Sequence, residues 1–369
     1  MVLGVDVGGT KVAVAAVDGA TAAHMTEHAT VLSSTDALLD GVEHVVREVI
    51  REAGEPEAIG VGVPSQIDFA TGTVVTSVNI PLTGLSLRDE LAHRFGVPVV
   101  VDNDANCAAL AEAQLLGESQ LVMLTLGTGV GGGVVIDGRT FRGAHGLGAE
   151  LGHMTVNPDG PPCPGNCPNH GCLEAYCSGQ ALERDATELA RDRPESTLAS
   201  RLGPDGTVAG PDLVAAAEAR DPDALFLMDN FARMLGIGIA NYVNIFEPAH
   251  LAIGGGLSRA SHLFLDRATQ EAEARALPAL WKRVRVARAR WVARRSTAPR
   301  RRAGPSRGAP PTRGRAPWRG GQGPGGVPAS PRRAPRRKAS RRRARGRTRR
   351  SARRRRRGGR RAPRGTRRS

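Results

Sequence analysis

The stretch GHMTVNPDGPPCPGNCPNHGCLEAYCSG, Gly152 to Gly179, gathers four of the chain's five cysteines within fifteen residues. His153, Cys163, Cys167 and Cys172 offer one imidazole and three thiolates, a donor set suited to a closed tetrahedral Zn²⁺ site. A disulfide knot and a chance cluster are the competing readings. Among the ligands themselves, His170 could replace Cys163 if the loop folds differently. Cys177 fits better as a small apolar side chain on a helix after Glu174, and Cys107 reads the same way.

A second chemical signal is VVVDNDANCAALAE, a strand running into a helix that should stop at Gly117. Asp104 is either that helix's N-cap, a position Asp favours, or a general base. Ligands of α/β folds gather at the carboxyl ends of strands, where this acid lies. An alcohol attacking a γ-phosphate must lose its proton, and a positioned carboxylate can accept it. Asp6, two residues before a glycine turn, is placed either to orient a metal-bound water or simply to end its strand.

Those acids need elements to hold them. VLGVDVGGTKVAVAAVDG joins two β-branched runs through Gly8, Gly9, Thr10 and Lys11, and LVMLTLGTGVGGGVVIDG repeats the design through Gly127, Thr128 and Gly129. Placing Gly8 on Gly127 also puts Asp18-Gly19 on Asp137-Gly138, a constant offset of 119. Each is a strand–glycine turn–strand unit whose bare backbone amides can approach a phosphate. One such hairpin could be a plain turn; two in register suggest an internal duplication, two lobes facing a nucleotide. Neither is a P-loop or a dinucleotide fingerprint. A third run, Gly254-Gly255-Gly256, follows a strand at Ala249–Ile253. It precedes a helix that Ser258 could cap, where backbone could pass close to an adenosine.

Between these landmarks the pattern alternates. Asp36–Gly54 shows a helical apolar stripe, Ala58–Val63 a buried strand, Leu85–Phe95 a helix and Val97–Val101 a strand. Asp221-Pro222 opens a long helix, and Arg191–Pro211 is loop-like. This is an α/β chain. The organisation expected is an N-terminal lobe over 1–103, a C-terminal lobe over 104–286 carrying the zinc loop 153–172, and an Arg-rich tail over 287–369.

The net charge of +16 over 369 residues conceals that break. Through Val286, 19 Lys and Arg stand against all 36 Asp and Glu; from Ala287 onward come 33 Lys and Arg and no acid. The tail's composition cannot bury enough apolar surface to order it. It reads either as a nucleic-acid arm, binding phosphates without sequence preference, or as the product of a shifted reading frame in GC-rich DNA. Met1 leads directly into a strand, and no run suits a signal peptide or a membrane span. A soluble cytoplasmic protein is expected, and there clustered cysteines favour metal over disulfides.

The motifs DVGGTK, VDNDANCAALAE, LTLGTGVGGG, GAELGH, GCLE and LAIGGG stand in the order seen in the sugar kinases and repressors of the ROK family, and the chain resembles that family from Met1 to about Val286. It is most similar to the bacterial ATP-dependent glucokinases within it. The resemblance implies an actin-like, duplicated ribonuclease-H-type fold, with ATP, accompanied by Mg²⁺, and sugar in the cleft between lobes. It implies that Asp104 is the base, that Asn103, Glu150, His153 and Glu174 contact sugar hydroxyls, and that one His and three Cys hold structural Zn²⁺. Asn79 is placed near the sugar, with a plain turn asparagine as the other reading.

Three departures from the family pattern stand out. Ser65 occupies a loop position where the family has glycine. The cysteines are spaced C-x₃-C-x₄-C rather than C-x-C-x₄-C. The basic tail replaces a last helix that returns to the first lobe. Family repressors carry a helix-turn-helix before the DxGGT strand; the chain has no residues there. The expected activity is phosphorylation of glucose to glucose 6-phosphate by a homo-oligomeric enzyme. An N-acetylglucosamine or mannose kinase and a non-enzymatic regulator are the alternatives.

Overall fold

A computed structural model describes residues 1–19, 21–165 and 167–290. The basic segment from 291 onward, and with it most of the expected tail, lies outside the described residues.

Strands β1 (Val2–Val7) and β2 (Lys11–Asp18) form the first glycine-tipped hairpin, and β3 (Thr21–Ala29) adds antiparallel to β2. Helix α1 (Thr35–Ala53) then returns the chain to β4 (Ala58–Val63), parallel to β1. A small hairpin, β5 (Ser65–Asp68) and β6 (Thr73–Ser77), and helix α2 (Leu87–Phe95) precede β7 (Val99–Asn103), parallel to β4. The sheet order is β3-β2-β1-β4-β7.

Helix α3 (Asp104–Leu116) leads into a second sheet. Its strands β8 (Leu121–Leu126), β9 (Val130–Ile136) and β10 (Arg139–Thr140) form a meander. Helices α4 (Glu174–Cys177), α5 (Gly179–Asp192), α6 (Gly210–Glu218) and α7 (Pro222–Phe246) come before β11 (His250–Gly254). Helices α8 (Leu265–Glu273) and α9 (Pro278–Trp281) come before β12 (Arg285–Arg288). The order β10-β9-β8-β11-β12 repeats the first sheet, antiparallel and parallel pairings included. Strand β8 starts and ends 119 residues after β1. The duplication visible in the glycine turns therefore extends through both sheets.

Local chemistry explains the main elements. Ser34 caps α1 by accepting from Ala37 N, and Leu38, Val42, Val45, Val46 and Val49 bury the expected stripe. Each such side chain contributes about 1.5–3 kcal/mol of transfer free energy. Strand β1 alternates buried and open positions, whereas central β8 is almost wholly buried. Val122, Leu124 and Leu126 face a core with α7, while Leu121 and Met123 pack with Ala109 and Ala113 of α3. A strand covered on both faces reads as a continuous apolar run. Asp221 caps α7 through Ala224 N at 2.8 Å.

Two local expectations are corrected. Ser258 does not cap a helix: Gly255 holds that position, and Ser258 is buried inside a 3₁₀ segment (Gly256–Leu263) with its hydroxyl donated to Gly255 O at 2.7 Å. The supposed loop Arg191–Pro211 contains a 3₁₀ turn (Ala199–Arg201), and Pro211 lies in the first turn of α6. Proline suits that turn because its missing N–H has no intrahelical partner there.

Candidate active site

Because β1, β4 and β7 are parallel, their carboxyl ends share one sheet edge. Asp6 stands opposite Gly62, and Gly62 opposite Asp102. The first glycine turn, the start of β5 and the Asn103–Asp104 corner are thereby brought together. The second sheet does the same for its own turn and the end of β11.

At the β7–α3 corner, Asn103 is the N-cap. Its side chain accepts from Ala105 N at 3.0 Å and Asn106 N at 3.2 Å, while its amide donates to Ser65 O at 3.3 Å. Asp104 is therefore the first helical residue rather than the cap. Its Oδ1 accepts from Ala105 N at 2.8 Å. Asp104 keeps contact with solvent, and it lines a narrow crevice walled by β5, the start of α3 and the 146–150 segment. That enclosure raises its pKa above the ordinary aspartate value, against the Ala105 hydrogen bond, with the charges of Asp6 and Glu150 adding to the rise. Asp6 is raised too, by desolvation, with Lys11 opposing. Two acids facing one cleft with raised proton affinity are characteristic of sites that move protons.

The crevice around Asp104 holds about 50 Å³ and is lined by Ser65–Ile67, Asn103–Asn106, Gly131, Gly132 and Gly146–Glu150. Gln66 Nε2 donates to Glu150 Oε1 at 3.1 Å, joining β5 to the Glu150 segment. A larger, open depression of about 490 Å³ contains Asn79 with Leu32, Ser77 and Ile80. A Cβ at Gly9 would sit 3.7 Å from Asn79, so Asn79 adjoins the first glycine turn. Gly8 N closes that turn on Lys11 O at 2.8 Å, Thr30 N donates to Thr10 O, and Lys11 Nζ pairs with Glu27 at 2.7 Å. Ser65 is accommodated without glycine: it is buried, and its hydroxyl meets that of Ser77 at 2.8 Å.

The second turn is closed by Gly127 N on Gly129 O, and α5 caps it from behind through Gly179 N on Gly127 O and Gln180 N on Thr128 O. Gly255 lies against the end of β8, where a Cβ would stand 2.3 Å from Leu126 O. The run Gly254–Gly256 is thus beside Gly127, Thr128 and Gly129.

Glycines missed as site residues explain how the pieces approach. A Cβ on Gly133 would meet Ala105 O at 2.7 Å, and one on Gly152 would meet Val130 O at 2.1 Å. Bare backbone at these points lets α3 and the 3₁₀ turn Leu151–His153 lie directly on β9. The signal for Gly133 was the length of the GVGGGVV run, which exceeds what a hairpin tip requires.

His153, Cys163, Cys167 and Cys172 come together, one ligand atom from each lying within 4.8 Å of the others. His153 Nδ1 is 3.7 Å from Cys163 Sγ. Zn–S of about 2.3 Å and Zn–N of about 2.0 Å at a tetrahedral angle separate donors by about 3.6 Å, so the donor set fits Zn²⁺. All five cysteines are free thiols. His170 pairs with Pro162 in a β-bridge and is outside the four-residue set. Cys177 is buried against Phe231 O. Cys107 is exposed rather than packed as an apolar side chain. It lies one turn after Asp104, its Sγ 3.6 Å from where a Cβ on Gly62 would stand, and desolvation of the thiol with the charge of Asp102 pushes its pKa up to about 12. Glu174 lies between the two motifs: Oε2 accepts from Val130 N at 2.7 Å, and Oε1 receives Cys163 Sγ at 3.4 Å.

The profile described as the ROK family matches residues 2–297. The chain belongs to the ROK family. Among ROK relatives, glucokinase of Halalkalibacterium halodurans is 42% identical over 224 residues, 60% of this chain and 67% of that protein. Glucokinase of Streptomyces coelicolor is 36% identical over 273 residues, 72% of this chain and 85% of that protein. The crystal structure of a ROK family glucokinase from Streptomyces griseus in complex with glucose and AMPPNP superposes with a TM-score of 0.68 at 34% identity, covering 78% of this chain and 94% of that one. The twin sheets are accordingly the duplicated actin-like, ribonuclease-H-like α/β fold of ROK proteins. Strand β12 continues past Val286 to Arg288, and Ala289 is buried beside Met123 and Ala252. Among the described residues no helix is long and apolar enough to cross a membrane.

Proposed function

We propose that the chain phosphorylates the 6-hydroxyl of a hexose with ATP, glucose being the favoured substrate and Asp104 the general base. The observation carrying this reading is the division of labour at the β7–α3 corner. Asn103 takes over helix capping and leaves an enclosed carboxylate of raised proton affinity in the crevice beside Glu150. The glucokinases among its relatives, and the glucose and ATP analogue bound in one related structure, support the substrate pair.

In this mechanism Asp104 accepts the proton of the attacking hydroxyl as its oxygen bonds to the γ-phosphorus. The bond from that phosphorus to the β–γ bridging oxygen breaks, and ADP leaves. Little further covalent chemistry is needed, so alignment and charge stabilisation supply most of the rate. The amides of Gly8, Gly9 and Thr10, with Lys11, face the nucleotide phosphates from one sheet. Those of Gly127, Thr128 and Gly129 face them from the other, with Gly254–Gly256 against the adenosine. Mg²⁺ accompanying ATP would offset phosphate charge, and Asp6 would be the residue that orients a water bound to it. Asn79, Asn103, Glu150, His153 and Glu174 read the sugar. His153, Cys163, Cys167 and Cys172 would hold a Zn²⁺ that supplies rigidity; with Nδ1 on the thiol side, His153 would keep Nε2 for the sugar.

The deciding experiment is a coupled ADP-release assay with glucose, mannose and N-acetylglucosamine, run on the wild type and on Asp104→Asn. Glucose turnover that vanishes in the variant while sugar binding persists is expected. Preference for another hexose would revise the substrate, and retained turnover in the variant would remove Asp104 as base.

A further inference from the structure

Strand β3 forms the edge of the first sheet, four strands away from β7, which carries the proposed base into the cleft. Nearly all its residues are open to solvent. Helix α1 packs behind it and presents His44, Glu48 and Glu52 at intervals of one turn, on one face. His28 Nε2 lies 2.9 Å from Glu48 Oε2. The His28 and His44 rings meet edge to face, with centroids 5.5 Å apart at 85°. One donor atom from each of His28, His44 and Glu48 lies within 4.8 Å of the others. One turn further along α1, His24 Nδ1 is 3.7 Å from Glu52 Oε2.

The backbone contributes to this convergence. The β2–β3 register shifts between Val14 and Ala16, so that two residues of β3 stand against one of β2. His24, in that bulge, has φ of 50°. Bulges re-aim side chains along an edge strand, and here the histidines of β3 turn toward α1. None of these residues belongs to the sugar or nucleotide machinery.

We propose that His28, His44 and Glu48 form a second metal site, specific for borderline divalent transition ions such as Zn²⁺, Ni²⁺ or Co²⁺. Two imidazoles and one carboxylate suit those ions, whereas Mg²⁺ and Ca²⁺ favour all-oxygen shells. The remaining coordination positions open to water, since the histidines are exposed. The bound ion cross-links the sheet edge to α1, and the His24–Glu52 pair supports it from the adjacent turn. An unpaired edge invites association with other strands; a metal tie between edge and helix restrains it.

The test uses the untagged full-length chain loaded with one equivalent of Zn²⁺, which the softer thiolate set takes up. Ni²⁺ is then titrated by calorimetry and by equilibrium dialysis. One additional ion per chain is expected, with an increase in thermal midpoint. His28→Gln and His44→Gln should each weaken that ion by ~10-fold or more, the loss typical when a metal ligand's environment is removed, with unchanged kcat for sugar. Glu48→Gln gives a third, independent variant. Co²⁺ distinguishes the two sites, because thiolate-to-cobalt charge-transfer absorption arises only at the cysteines. No additional ion, or one whose affinity is the same in all three variants, would overturn the proposal.

Discussion

Arg142 holds Asp102 through two nitrogens on one oxygen, Nη2 at 2.6 Å and Nε at 3.0 Å from Oδ2. The other oxygen of Asp102 accepts from Asn103 N at 2.8 Å and Asn106 Nδ2 at 3.2 Å. The guanidinium also stacks over Phe69, 3.7 Å from the ring centroid. This one contact ties the segment after β10 to the end of β7 and to the β5–β6 hairpin. It therefore fixes the corner from which Asp104 projects.

Arg142→Ala should accordingly damage both stability and turnover. It leaves Asp102 buried without its cation, a change that costs about 3–5 kcal/mol in fully buried pairs. The Arg142 side chain keeps 22% of its exposure, so a loss of about 2–3 kcal/mol in urea denaturation is expected. A companion Asp102→Asn substitution should recover part of that loss. An unchanged midpoint in Arg142→Ala would show that the pair does not brace the corner.

The raised pKa of Asp104 fixes the sign of two pH effects. As base, Asp104 works ionised, so kcat/KM should fall as pH drops through a value above the ~3.9 of a free aspartate. Asp6→Asn removes a like charge and should move that acid limb to lower pH, whatever it does to the maximal rate. Stability follows the opposite course. A carboxyl with a raised folded-state pKa binds its proton more tightly in the folded chain, so its contribution is lost as pH rises through that pKa. Asp104→Asn should be the more stable protein at neutral pH, with the difference vanishing below the unfolded-state pKa. Equal stability at all pH values would contradict the enclosed carboxyl.

The sequence made the repeating parts of this fold legible and left the convergent parts obscure. The 119-residue offset named both hairpins, and apolar spacing located α1 and β4, because these signals are local and periodic. Strand β3 carried no alternation to read, since an edge strand exposed on both faces has no buried side to enforce one. The identity of the cap at the β7–α3 corner was ambiguous because Asn103 and Asp104 are both good caps, and only backbone geometry distinguishes them. Arg142 gave no signal: its partner is forty residues away and the contact exists only once both sheets are formed.

Asn103→Ala separates capping from sugar recognition. Losing the cap should cost about 1 kcal/mol, whereas Asn103→Ser should keep the cap. If Asn103 also reads the sugar, Asn103→Ser will retain stability and still show a raised KM. Normal KM in a stable serine variant would confine Asn103 to the helix end.

Gly152→Ala tests the close approach of the Leu151–His153 turn to β9. The obstacle is backbone, Val130 O, which cannot swing aside as a side chain can. The same residue's N–H binds Glu174, so displacement should reach both Glu174 and His153. A loss of roughly 3 kcal/mol, at the upper part of the overpacking range, is expected together with weakened sugar binding. Wild-type stability would mean that this turn relaxes without cost.

Cys172→Ser tests whether zinc acts on sugar recognition through His153. Cys172 is fully buried, and serine replaces its soft thiolate with a poor zinc donor of similar size. If zinc ties His153 to the three thiols as proposed, its loss should loosen His153 and the loop that contacts Glu174 through Cys163. Zinc content by metal analysis and glucose affinity by calorimetry should therefore fall together. Nucleotide affinity, assigned by the proposal to glycine turns outside the loop, should change little, and this separates loss of the loop from loss of the fold. Full glucose affinity in a zinc-free variant would break the link between the metal and the sugar.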